Sequence, residues 1–203
     1  MTHPSCRGLA GLAKRALDVT GAVAGLAAAA PVMAAAAALV ALERCGPVFF
    51  ARERVGLGGR TFRCHKFRTM AHGVEPLAPL ADKHPADRRI TPLGRVLRTW
   101  SLDELPQLWN VLVGEMSLVG PRPLPVGEVE HLKREPEHER WEEVRRRVRP
   151  GLTGLWQVNG RSDLDAEDMA RLDIDYVENW SLVRDLAILA RTPLAVLSRR
   201  GAY

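Results

Sequence analysis

Hydrophobic and polar positions divide this chain into an apolar head and a patterned body. Between Asp18 and Glu43 no residue is charged, and the 24 positions read VTGAVAGLAAAAPVMAAAAALVAL. As a helix rising 1.5 Å per residue this run would cross a hydrocarbon core of about 30 Å, with the moderate lipid affinity of an alanine-rich window. Pro31, near its middle, removes an amide donor and brings a ring clash, which predicts a kinked, re-entrant segment. Lys14 and Arg15 before the run and Arg44, Arg52 and Arg54 after it put positive charge at both ends, which favours a segment that does not span over one that does. A buried helix in a soluble protein is the remaining reading. A cleaved signal peptide is disfavoured, because the run is longer than an ordinary apolar region of such a peptide and the chain beyond Glu43 looks cytosolic.

Beyond Gly46 the spacing becomes that of a globular domain. Strands are predicted around Val48 to Arg52 and Thr61 to Phe67, joined as a hairpin by a turn at Gly56, Gly58 and Gly59. Residues 71–92, with four prolines, read as a loop. Ser101 to Leu112 reads as an amphipathic helix: Leu105, Leu108, Trp109 and Leu112 repeat at i, i+3, i+4 and i+7, and Ser101 with Glu104 fits a capping box. Gly120-Pro121-Arg122-Pro123 makes a rigid turn. The densely charged stretch 131–149 reads as a solvated helical face without chemistry. Residues 150–161 form a glycine-punctuated loop, and Leu182 to Leu197 repeat at helical spacing opposite arginines, as in a helix lying at an anionic interface or, since Pro193 interrupts the pattern, a plain surface helix packing on the domain. The predicted class is α+β: a kinked membrane helix over 1–45, then a small, mainly helical cytosolic domain over 46–203 with a short hairpin and interfacial amphipathic helices.

Charge narrows the partners. The net charge is +5 and the pI about 9.6, carried mostly by arginine, which points to nucleotides, lipid phosphates or an anionic membrane face. Nucleic acid is disfavoured, since the chain has only two Tyr and four Phe and no spacing of a known nucleic-acid module. Three widely spaced cysteines suggest reduced thiols and neither a disulfide framework nor a zinc site.

Candidate chemistry centres on Asp103 and Glu104. A first-turn carboxylate sits in the positive end of the helix dipole, and Asp103, unneeded by the capping box, is free to act as nucleophile or metal ligand. Two exposed acids at a helix start are the ordinary alternative. The hairpin glycines lack the helix that a phosphate cradle requires after it and read as turn geometry. In the loop 150–161, Trp156, Gln157 and Arg161 would suit stacking a base and clamping a phosphate, or an ordinary turn with Trp156 in the core.

Several long motifs in order carry a resemblance: KRALD at 14–18, the apolar run with its central proline, HKFRTM at 65–70, DRRITPLGRVLR at 87–98, SLDELPQLWNVLVGEMSLVGPRP at 101–123, VRPGLTGLWQVNGR at 148–161 and LDIDYVENWSLVRDL at 172–186. Together they resemble the bacterial sugar transferases, in the minimal form of the monotopic polyprenyl-phosphate phosphoglycosyl transferases. Ala30 before Pro31 departs from the Ser-Pro often found at the family's hairpin break. The resemblance implies an enzyme that moves a sugar-1-phosphate from a UDP-sugar to polyprenyl (undecaprenyl) phosphate, releases UMP, and starts exopolysaccharide, O-antigen or glycoprotein glycan assembly at the cytoplasmic face of the bacterial inner membrane. It implies Asp103 as nucleophile, Mg²⁺ held by Asp103 and Glu104, and phosphate binding by Lys66, Arg68 and Arg122, the first two alternating onto one face of a strand. Gln157 and Arg161 would meet the nucleotide. Anionic lipid is an expected partner, and an oligomer is left open. A scaffold without catalysis, or a membrane module that only binds anions, are the rival classes; the former would have no need of Asp103, Glu104, Lys66 and Arg122 together.

Overall fold

A computed structural model of the chain describes residues 3, 7–71, 87, 89–132, 136–199 and 201. Its first element is one long helix, α1 (Gly8–Leu42), with Pro31 inside it. The predicted break at Pro31 is not seen: the helical run carries on through the proline. The physical reason lies on both sides of it, where runs of alanine, the best helix former, resume the backbone ladder after a local loss of about 3 kcal/mol.

About 50 Å long, α1 touches the rest of the molecule at positions between Lys14 and Val40. Lys14, Asp18, Ala22, Ala36 and Val40 are its buried positions and share one stripe. Toward the N-terminal end, Gly21 lies so close to Leu118 that an added Cβ would come within 2.4 Å of a methyl group. Toward the C-terminal end, Ala36 and Val40 pack with Phe67 and Leu97. The remaining faces leave Leu9, Leu12, Val23, Val32, Leu39 and Leu42 exposed.

The hairpin comes next, with β1 (Phe49–Val55) antiparallel to β2 (Thr61–Phe67) and Val55 opposite Thr61 across the glycine turn. Both strands match the expectation, with β1 reaching three residues further. Then come α2 (Pro92–Thr99), capped by the Thr91 hydroxyl, and α3 (Gln107–Val113). The loop expected at 71–92 lies mostly outside the described residues. A second, parallel pair joins β3 (Ser117–Val119) to β4 (Gly151–Thr153), with α4 (Val126–Leu132) and α5 (Pro136–Arg145) between them. The chain ends in α6 (Leu155–Asn159), α7 (Ala166–Glu178, capped by Asp165) and α8 (Leu182–Ser198, capped by Ser181). One apolar core, built around Val111, Met116, Val119, Val144, Tyr176, Val177 and Ile188, gathers α3, β3, α5, α7 and α8.

Two expectations change here. Helix α8 runs through Pro193 without interruption, burying Asp185 and Ile188 and leaving Val183, Leu186, Leu194 and Leu197 outward. The charged stretch 131–149 is not merely a solvated face, since Trp141, Glu142, Val144 and Val148 are buried.

The KRALD segment anchors α1 to this core through charge. Lys14 Nζ lies 2.8 Å from Asp185 Oδ2 and 3.5 Å from Asp18 Oδ1, and it donates to the Val119 carbonyl. Asp18 accepts from the Ser117 hydroxyl and the Leu118 amide, while Tyr176 and Trp180 donate to Asp185. Arg15 donates to the carbonyls of Val111 and Leu112 at the C-terminal end of α3.

Candidate active site

The segment bearing Asp103 and Glu104 is not the first turn of a long helix. Residues Leu102–Glu104 form a tight 3₁₀ turn closed by the Leu105 amide on the Leu102 carbonyl, and α3 begins only at Gln107. Pro106 separates the two, because it has no N–H with which to continue the ladder to Leu102. The capping box is absent as well. Ser101 has a left-handed backbone (φ 55°) and makes no side-chain cap. Its hydroxyl instead accepts from Arg161 Nη2 at 2.5 Å. With the helix starting later, Trp109 faces outward, 54 % exposed, and the buried face is Gln107, Leu108, Asn110 and Val111.

What this turn does is hand two carboxylates to different surroundings. Glu104 Oε1 lies 2.6 Å from Lys66 Nζ and 2.5 Å from Arg122 Nη2, and its Oε2 accepts from Arg122 Nη1 at 3.1 Å. Asp103 is 7 % exposed, its nearest cation is Lys66 at 3.9 Å, and among the described residues no hydrogen bond reaches its carboxylate. Burial would raise both carboxyls. For Glu104, Arg122 and Lys66 outweigh it and hold the group well below the usual carboxylate range. For Asp103, burial wins over Lys66 and the carboxyl is raised, with Glu104 adding to the rise. Arg122, facing Glu104, is held above its ordinary value.

Each partner is aimed by its own element. On β2, Phe62, Cys64 and Lys66 share the inward face, so the alternation that buries two apolar side chains ends by directing an ammonium at Glu104. Asn110 of α3 fixes that strand: it donates to the Arg63 carbonyl at 2.8 Å and accepts from the His65 amide at 3.1 Å. Arg122 rides on the turn between β3 and α4. That turn lies against β4 because residue 151 is glycine, where a Cβ would fall 2.1 Å from the Gly120 nitrogen. Arg161 also has a left-handed backbone (φ 58°) and brings its guanidinium within electrostatic reach of both carboxylates.

Of the residues singled out from sequence, Asp103, Glu104, Lys66, Arg122 and Arg161 come together, and Arg68 does not. The strand ends at Phe67, so the expected alternation of Lys66 and Arg68 onto one face fails. Arg68 turns to the end of α1, donating to the carbonyls of Val40 (2.8 Å) and Pro47 (3.1 Å), with Glu43 3.6 Å away. Trp156 lies in the core, 6 % exposed, where it cannot stack a base. Gln157 is 8 % exposed and neither end of its amide has a partner among the described residues. Two cations were missed. Arg98 donates to the Thr69 hydroxyl at 2.9 Å within reach of Asp103, and its place five residues before Asp103, in a motif of the resemblance, was an available signal. Arg54 is half-buried in the hairpin and donates to the Pro123 carbonyl at 3.1 Å, with only its place in the strand to mark it.

Four cations, Lys66, Arg98, Arg122 and Arg161, thus interact with two carboxylates, a surplus that suits a ligand carrying several negative charges. Among the described residues no three acidic, histidine or cysteine side chains converge, so an all-protein metal cage is not the arrangement here. A hard cation taking one or two carboxylates and completing its shell with phosphate and water oxygens does fit this donor set.

Comparison with known proteins agrees with the motifs. The family model for bacterial sugar transferases matches residues 9–199. The exopolysaccharide production protein ExoY of Sinorhizobium fredii is 41 % identical over 211 residues, covering 97 % of this chain and 91 % of the relative. The UDP-glucose:undecaprenyl-phosphate glucose-1-phosphate transferase of Caulobacter vibrioides is 44 % identical over 198 residues, 95 % of this chain and 72 % of that protein. In the undecaprenyl-phosphate galactose phosphotransferase of Salmonella typhimurium the match is 43 % over 172 residues, 78 % of this chain but 35 % of the longer relative. Matched over nearly its whole length, the chain belongs to the bacterial sugar transferase family.

Proposed function

We propose that the chain transfers a sugar-1-phosphate from a UDP-sugar to a polyprenyl phosphate in two displacements at Asp103. In the first, an Asp103 carboxylate oxygen attacks the β-phosphorus of the donor, the bond from that phosphorus to the bridging oxygen breaks, and UMP leaves with the electron pair. In the second, a phosphate oxygen of the lipid attacks the same phosphorus and the Asp103–phosphorus bond breaks, giving the lipid diphosphate sugar and restoring the carboxylate. Overall one phosphoric anhydride is exchanged for another through a mixed acyl-phosphate, so the protein's work is positioning and charge neutralisation.

The observation that carries this reading is the contrast within the acidic pair. Glu104 is locked between Lys66 and Arg122, whereas the neighbouring Asp103 makes no hydrogen bond among the described residues and has raised basicity from burial. One acid organises cations; the other is left to react. Lys66, Arg122, Arg98 and Arg161 are the groups to hold the diphosphate oxygens, and Gln157, whose amide has no partner among the described residues, is the candidate for the nucleotide. Arg68 is left out of the phosphate set because its donors are engaged at the end of α1. Mg²⁺ bound by Asp103 and Glu104 would neutralise charge on the transferred phosphoryl group. The names of the Caulobacter and Salmonella relatives give undecaprenyl phosphate as acceptor, and we extend that class of acceptor to this chain.

The acceptor is a lipid, and the apolar surface is arranged accordingly. The contacts of α1 run from Lys14 to Val40 along the domain, which supports a helix lying with the domain on one membrane face, here the cytoplasmic one, over a helix standing across the bilayer. Outward leucines of α1 and α8, with Phe49 and Phe50, would enter the interface and bring the site to the headgroup plane. The test is UMP release from a panel of UDP-sugars with undecaprenyl phosphate and Mg²⁺, native chain against Asp103→Asn. Release with a donor, lost in the variant, supports the reading; release that persists in the variant removes Asp103 from the chemistry.

A further inference from the structure

The turn that carries Arg122 has an unusual need. Prolines at 121 and 123 leave it without two of its amide donors, and among the described residues no hydrogen bond joins its own backbone groups, so its carbonyls are held from outside. Four successive carbonyls are held in this way. Pro121 accepts from the Gly151 amide at 2.8 Å and Leu124 from the Val55 amide at 3.0 Å. Between them, Pro123 accepts from Arg54 at 3.1 Å and Arg122 itself accepts from Nη2 of Arg145.

Arg145 is not a surface arginine that happens to reach. It sits at the end of α5 with its side chain 10 % exposed, and the carboxylate of Asp173 on α7, 2 % exposed, lies 3.5 Å from its Nε. The Trp141 indole donates to that same Asp173 oxygen at 3.0 Å, and the Arg145 guanidinium lies 5.0 Å from the centre of the Trp141 ring. An arginine costs heavily to bury without an opposite charge, and a single backbone carbonyl does not need one. Asp173 and Trp141 together provide the charge and the platform, which makes the guanidinium a fixed post.

We propose that Arg145 is a positioning residue of the active site: held by Asp173 and Trp141, it grips the Arg122 carbonyl and thereby sets the Arg122 guanidinium against Glu104 and the donor phosphates. The inference rests on the transferase reading for its kinetic consequence, while the geometry of the turn stands apart from it. Nothing in the charged run that contains Arg145 signals the role in sequence, since the contact that defines it is to a backbone oxygen 23 positions away.

The test is a double-mutant cycle between Arg145→Met and Arg122→Lys, read in kcat/KM for UMP release by the full chain. A charge-assisted hydrogen bond of this kind corresponds to a loss of about 10- to 100-fold when removed. If Arg145 acts through Arg122, the double variant falls no more than about threefold below Arg122→Lys alone, and Arg145→Lys restores part of the loss; losses that multiply would overturn the proposal. Hydrogen–deuterium exchange supplies a readout independent of turnover. Exchange of the peptide covering residues 120–124 rises in Arg145→Met while that of α8 does not, and a uniform rise would assign Arg145 to general stability instead. Should Arg145→Met not fold, Asp173→Asn, which keeps an acceptor for Trp141, replaces it in both measurements with the same expected results. A native chain that releases no UMP from any donor counts against the transferase reading alone, and the exchange result then decides the positioning claim.

Discussion

Two buried charge clusters serve this molecule in opposite ways. Around Lys14, two carboxylates share one ammonium, and the missing positive charge is replaced by neutral donors: the Ser117 hydroxyl and Leu118 amide on Asp18, and Tyr176 and Trp180 on Asp185. Around Glu104 the balance is reversed. Cations outnumber acids, Asp103 has no hydrogen bond among the described residues, and the surplus charge is left to be met from outside. The first cluster is closed and ties α1 to the core, whereas the second carries surplus positive charge among the described residues. A buried ion network therefore does not by itself mark a functional site, and the unmatched charge within it is the better guide.

Single substitutions should separate the two. The largest effect on activity falls at Asp103: Asp103→Asn lowers UMP release by at least about 1,000-fold, as expected when a nucleophile that no neighbour can replace is removed. Thermal unfolding of the same variant moves the other way. Folding raises the Asp103 carboxyl through burial, so its ionised form opposes the fold, and the stability it contributes is full below the ordinary aspartate value and lost as pH rises through the raised one. Asp103→Asn is accordingly more stable than the native chain near neutral pH, and the gap closes on acidification. Glu104 has the opposite sign, with stability present above the ordinary glutamate value and lost as pH falls toward its depressed one. Glu104→Gln should lower stability at neutral pH, and that loss should shrink in acid. If both variants shift stability in the same direction at neutral pH, the contrast within the pair is wrong.

In the closed cluster the order of effects inverts. Lys14→Met leaves Asp18 and Asp185 facing each other's charge without a cation, which costs about 3–5 kcal/mol, measured by denaturant unfolding. The folded molecules should keep an unaltered KM for the donor, because Lys14 touches nothing in the Glu104 cluster among the described residues. A raised KM at preserved stability would mean that the two clusters are coupled through β3.

The parts of this fold that sequence made legible are those with local causes. The hairpin is written in the alternation of residues 61–67 and its glycine turn, and the acidic pair stands out in any reading. What could not be read depends on partners far along the chain. Pro106 was visible, yet the apolar spacing of Leu105, Leu108, Trp109 and Leu112 suggested a continuous helix, whereas α3 starts only at Gln107 and Trp109 faces outward. Arg68 differs from Lys66 because the strand stops one residue between them. The β3–β4 pair joins two three-residue strands separated by two helices, and neither has enough length to announce itself by alternation. Pro31 and Pro193 show the converse error: a proline in a strongly helical context is tolerated where the neighbouring turns and packing outweigh the local loss.

The smallest effects sharpen the comparison most, because they remove a hydroxyl from each cluster and leave every charge in place. Tyr176 bonds both Asp185 Oδ1 (2.8 Å) and the Val119 carbonyl (3.0 Å), so Tyr176→Phe strips a donor from a closed network and should cost about 1 kcal/mol of stability with no change in KM. Ser101 accepts from Arg161 at the edge of the open cluster. Ser101→Ala releases that guanidinium, and its left-handed backbone is no better suited to alanine, so stability should fall by about 0.5–1 kcal/mol. The kinetic signature distinguishes it from Tyr176→Phe: KM for the UDP-sugar should rise about threefold to tenfold as Arg161 loses its fixed direction, with kcat little altered. Steady-state kinetics on the pair at matched folded fraction decides the matter. A KM that moves in Tyr176→Phe and stays fixed in Ser101→Ala would reverse the roles assigned to the two clusters.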